Sequence, residues 1–118
     1  MDELTAAGAY FRRKAVDWAS TDGSVTAHFR RLGRDGLIAE FRADPDFEVV
    51  FRYLHRVQNV QYVHDSTYAG FRDQVRSVFR DRRQAETVVR AALMASGISP
   101  FADRLVRVAG ALPTGTSR

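Results

Sequence analysis

The residues able to carry chemistry in this 118-residue chain are three histidines, fourteen carboxylates and eighteen basic side chains, with no cysteine among them. The absence of cysteine removes thiolate metal ligands, thiol nucleophiles and disulfides together. His28, His55 and His64 have no pair at i+3 or i+4, the spacings that place two ligands on one helix face. A metal site would have to assemble from distant His, Asp and Glu side chains. His55 reads as a half-buried or surface histidine, and His64, followed by Asp65, as part of a turn. No serine stands in a Gly-x-Ser-x-Gly elbow, and the turn from Gly33 to Gly36 lacks the lysine and hydroxyl of a P-loop. Glu40, Glu48 and Glu86 are isolated in sequence. The expectation is no catalytic, cofactor-binding or metal-ligating residue, and no cofactor; an enzyme is the class with least support.

The arginines are more informative. Arg72, Arg76 and Arg80 recur every four residues and form one ridge beside the apolar stripe of Phe71, Val75 and Phe79; Arg82 and Arg83 extend it. Arg52 and Arg56 make a second, shorter row. Like charges at this spacing repel by a few tenths of a kcal/mol per pair, so the ridge suits an anionic or protein partner. Against this, Lys14 is the only lysine, a bias that GC-rich coding produces on every helix, and Asp73, Asp81 and Glu86 offset part of the charge. Tyr53 and Tyr62, together with Tyr10, fall less readily than the phenylalanines on inner stripes, and an exposed Tyr and Arg surface would suit recognition. The candidate partner- or anion-binding set is Arg52, Arg56, Arg72, Arg76, Arg80, Arg83, Tyr53 and Tyr62.

The stretch from Ala91 to Leu105 resembles the corner of a helix-turn-helix, with Gly97 at the turn and Ser99-Pro100 opening a second helix from which Arg104 and Arg107 could reach DNA. The motif needs apolar residues about six and nine positions after the glycine, where Asp103 and Val106 stand. At about 100° per residue, these lie almost opposite the stripe Phe101, Leu105, Val108 and Leu112. A packed corner of the core is therefore the preferred interpretation.

The elements that must position these residues are helical. Asp2 caps a first helix with Leu4, Ala7, Phe11, Ala15 and Trp18 on one face, ended by the Ser20–Ser24 stretch. A second begins at Val25, is loosened by Gly33 and Gly36, and resumes over Leu37–Phe41. Asp44-Pro45 starts a third, with Phe47, Val50, Phe51, Leu54 and Val57 inward. The alternation Phe47, Val49, Phe51, Tyr53 also fits a strand over 47–63, and the Asp-Pro start favours helix. A fourth runs from Ser66 with Tyr68, Phe71, Val75, Val78 and Phe79 on one side. Asp81, with Gln84 at capping-box spacing, starts a fifth that stops at Gly97, where Ile98 makes the accompanying apolar contact.

The predicted fold is all-α: a single-domain bundle of five or six short helices over residues 1–112, with a flexible tail at 113–118. Forty-five per cent apolar composition, no apolar run near the length of a membrane span and an acidic start unlike a secretory leader make a soluble, cytoplasmic protein the expectation. The function expected is a protein-interaction or assembly domain, with self-association as one form. A small nucleic-acid-binding regulator using the Arg72–Arg83 ridge or the C-terminal corner is the alternative. An accessory subunit of an enzyme complex is a third.

Overall fold

Asp2 opens the first helix by accepting the Thr5 backbone N–H at 2.7 Å, which satisfies one of the orphan amides of the first turn. The computed structural model describes residues 2–60 and 68–98. Helix α1, Glu3–Asp22, ends at Gly23. Ser24 caps α2, Val25–Ala43, through a 3.0 Å bond from the Ala27 N–H to its Oγ. Gly33 divides α2 as its composition predicts. Its φ of 67° and ψ of 180° fall in a region that side chains exclude, so the helix is broken there into two runs.

Asp44 accepts the Asp46 N–H at 3.0 Å and starts a 3-10 turn, Pro45–Phe47, that leads into α3, Glu48–Val60. Helix therefore prevails over strand across 47–60, while 61–63 lie outside the described residues. The buried face of α3 is rotated from the expected one. Phe47, Val50, Leu54 and Val57 are inside, Tyr53 joins them at 8% exposure, and Phe51 is 42% exposed. Tyr53 and Phe51 flank the stripe on opposite sides. Contact with Phe71, whose ring is 6.3 Å away, draws the tyrosine edge inward.

Helices α4, Ala69–Val78, and α5, Arg82–Ala95, meet at a tight corner around Phe79, whose N–H bonds to the Val75 carbonyl at 2.8 Å. Asp81 caps α5 by accepting the Gln84 N–H at 3.0 Å. The reciprocal half of the predicted capping box is replaced: Gln84 Nε2 donates to Thr26 Oγ1 at 2.6 Å, tying the first turn of α5 to the first turn of α2. At the other end Gly97 takes a left-handed φ of 79°. The Ile98 N–H reaches the Leu93 carbonyl at 2.8 Å, the Gly97 N–H reaches that of Met94 at 3.0 Å, and Ile98 is buried as expected. The expected last helix from Ser99, with its Phe101 to Leu112 stripe and Arg104 and Arg107, lies outside the described residues, as does the tail at 113–118.

Among the described residues there are five α-helices and no strand, an all-α bundle. Helix α1 is central, packed against α2, α3 and α4, and α5 closes the far side against α2 and α4. Aromatic rings make much of the core: Phe11 meets Phe71 edge-on at 5.7 Å, Phe41 stacks on Phe47 at 4.9 Å, and Trp18 stacks on Phe79 at 5.8 Å. Such pairs contribute about 0.5–1.5 kcal/mol each beyond burial. Tyr10 is fully buried within this cluster, and its hydroxyl donates to Asp44 Oδ2 at 2.8 Å. No described helix is long and apolar enough to cross a membrane.

Candidate functional site

The fold assembles a charged cluster from residues that sequence spacing kept apart. His28 is 2% exposed, with Nδ1 2.6 Å from Asp22 Oδ2 and Nε2 2.9 Å from Glu40 Oε1. An imidazolium donates to both carboxylates, whereas a neutral ring donates to one. The second Glu40 oxygen accepts the Trp18 indole N–H, and the Trp18 ring lies nearly parallel to His28, 13° from coplanar at 5.1 Å. Arg31 Nε bonds to Asp22 Oδ1 at 3.0 Å and its Nη2 to Oδ2 at 3.1 Å. The Arg31 guanidinium holds the Asp22 carboxyl below the usual carboxylate range against an opposing desolvation, with His28 assisting.

This arrangement joins the end of α1 to both runs of α2 across the Gly33 break. Every polar atom of the imidazole is occupied and one face is covered by indole, so the ring offers no open position to a substrate. Among the described residues no group of three or more His, Asp and Glu side chains is placed to hold a metal. Sequence spacing missed the cluster because its members are 6 and 12 residues from His28, beyond one helical turn. The available signal was Trp18 and Asp22 at i, i+4 near the end of α1, with a histidine in the first turn of the helix that follows.

The candidate arginines divide into two groups, and the expected single ridge is broken: α4 stops at Val78 and Phe79 is extended, so Arg80 stands off the helix that carries Arg72 and Arg76. Arg52 pairs with Glu48 at 2.8 Å, and Arg56 with Glu3 across the α1–α3 contact, so the second row is neutralised within the chain. Arg76, Arg80 and Arg83 are exposed, as is Arg82, and among the described residues none of them has a carboxylate in ion-pair range. Arg72 is half-buried. Tyr53 is buried in the core rather than on an exposed recognition face, and Tyr62 lies outside the described residues, as does His64.

A groove of about 810 Å³ runs where the C-terminal ends of α2 and α5 lie side by side. Ile38, Ala39, Ala43, Met94 and Ile98 line it, with Asp35 and Arg42 at its charged edges. Two side-chain donors hold carbonyls at the end of α5: Arg42 Nη2 donates to Met94 O at 3.0 Å, and His55 Nε2 to Ser96 O, on the capping residue, at 2.6 Å. Both complement the negative end of the helix dipole. A smaller depression continues from Arg42 past Ala95 to Phe51, whose ring lies 4.3 Å from that of His55.

The fold and these surfaces define a small helical bundle with a surface groove and, among the described residues, a basic corner without ion-pair partners. Compared with protein-family models, with curated proteins and with solved structures, the chain matches none of them.

Proposed function

We propose that the chain is a non-catalytic protein-interaction domain that seats an amphipathic helix of a partner protein between α2 and α5. The observation that carries this reading is the open, mainly apolar groove itself. Ala39 and Ala43, one turn apart and both exposed, would let another helix approach closely over a floor of Ile38, Met94 and Ile98. Asp35 and Arg42 would set its orientation through opposite charges, and Phe51 would extend the apolar contact along the adjoining depression. A cytoplasmic partner is the one this reading entails.

A photo-cross-linking residue at Ala39 in the full chain, expressed in cells that carry it natively, tests this. The expected product is an adduct to a second polypeptide that Ala43→Glu removes, while circular dichroism remains unchanged. An adduct confined within the chain, or none, would overturn the reading. Sedimentation of the purified chain separates a distinct partner from a second copy of the same protein.

A further inference from the structure

We infer that the α4–α5 corner is a binding surface for the phosphate backbone of a nucleic acid, separate from the groove. The internal allocation of charge supports this. Elsewhere among the described residues Arg31 pairs with Asp22, Arg34 with Asp35, Arg52 with Glu48, Arg56 with Glu3 and Arg90 with Glu86, and Arg42 donates to a backbone carbonyl. Arg12 and Arg13 on α1 are the exception, an exposed pair beside Asp17 with Arg13 over the Tyr10 ring. Between Arg76 and Arg83 four arginines face a single carboxylate, Asp81, which is already taken up in capping α5. Asp73 is one turn back on α4 and makes no ion pair among the described residues. The Gln84 to Thr26 bond adds Arg30 to the same neighbourhood, since it follows Thr26 by one helical turn on α2 and is exposed without a carboxylate in range.

The corner is also held from within the core. Phe79, 3% exposed, stacks on Trp18 and lies 6.3 Å from Phe29, so the chain between Arg76 and Arg82 is anchored from beneath. A polyanion would meet these exposed side chains without first displacing a carboxylate partner.

The choice between phosphates and an acidic protein follows from what surrounds the charges. Among the described residues the exposed large apolar side chains are Val16 on α1 and Phe51 on α3, and neither is on α4 or α5. A protein interface is anchored by buried aromatic or aliphatic side chains, whereas phosphate contacts need only positioned cations. Guanidinium groups suit that task because their forked donors match two phosphate oxygens.

The test is fluorescence anisotropy of the full chain with a labelled mixed-sequence 20-base-pair duplex and with a single strand of the same length, titrated with salt. Four phosphate contacts predict a slope of log K against log salt of about −3.6 for the duplex. Arg76→Gln with Arg80→Gln should lower its magnitude by about 1.8. Arg76→Lys with Arg80→Lys should preserve it, and Arg52→Gln with Arg56→Gln should leave binding unchanged. Ala43→Glu should also leave it unchanged, which keeps this result independent of the groove. Absence of salt-sensitive binding, equal loss in the Arg52 and Arg56 variant, or binding of a polyglutamate peptide in preference to either nucleic acid would overturn the inference.

Discussion

His28 Nε2 lies 2.9 Å from Glu40 Oε1, and this contact spans the Gly33 break in α2. A helix interrupted by glycine has lost backbone hydrogen bonds that would hold its halves in line. The side-chain bond, with Asp22 on the other ring nitrogen, restores the connection through the end of α1. Replacing His28 with alanine removes one partner from each of two carboxylates, leaving Asp22 to Arg31 and Glu40 to the Trp18 indole, and uncovers the Trp18 ring. It should lower stability by about 1–3 kcal/mol. Urea unfolding of His28→Ala and Glu40→Gln checks this. The glutamine, which can still accept the indole N–H, should cost less.

The conformation of Gly33 makes a second prediction. Its φ of 67° with ψ of 180° is open in practice only to glycine, although nothing lies near the position a Cβ would occupy. Gly33→Ala should therefore destabilise by about 1–3 kcal/mol through backbone strain alone. The unfolding midpoint should fall with no change in the denaturant slope.

Acid should weaken the fold through Asp44. Burial raises the Asp44 carboxyl, but the Lys14 ammonium at 3.0 Å, the Tyr10 hydroxyl and the Asp46 N–H outweigh it, and the net shift is downward. A carboxyl lowered in the folded state adds stability above its unfolded value near 3.8, and that stability is lost as pH falls through the folded value. Asp22, lowered chiefly by Arg31, acts in the same direction. Unfolding midpoints measured from pH 7 to pH 2 should decline below about pH 4, and less so in Asp44→Asn.

Alkali should act through Tyr10. Burial first, then its bond to Asp44, pushes the phenol well above its ordinary value of 10.0. The folded state favours the protonated phenol, so its contribution is intact below that value and is lost as pH rises beyond it. Tyr10→Phe should be less stable than the parent at neutral pH and show a shallower alkaline decline in thermal unfolding.

The end of α5 gives a fifth test. His55 donates to Ser96 O and Arg42 to Met94 O, each from a different helix. Removing either donor should cost about 0.5–1.5 kcal/mol. Amide exchange should rise at Ser96 to Ile98 more than in the middle of α5.

Much of the bundle was legible from local chemistry. Asp2, Asp44 and Asp81 start their elements because a side-chain oxygen reaches an amide two or three residues ahead, and Gly97 ends α5 because a left-handed residue closes the last turn. Most of the expected stripes of α1, α4 and α5 are buried because helical periodicity places them on one side, with Leu4, Ala15 and Val78 half-buried at the edges and Phe79 reaching the core from beyond the end of α4. All of these depend on residues within one or two turns.

What lay beyond that range was decided by packing. The inward turn of Tyr53 and the exposure of Phe51 depend on where Phe71 stands, and the diversion of Gln84 from its capping box depends on Thr26. The same holds for the arginines: one row meets Glu48 and Glu3 while the α4–α5 corner is left uncompensated, a distinction invisible in their even spacing. His28 was a lone histidine in sequence and became the centre of a network because α1 and two halves of α2 converge on it. Periodicity reports which face a residue takes on its own helix; only the docking of helices decides which side chain of another element it meets.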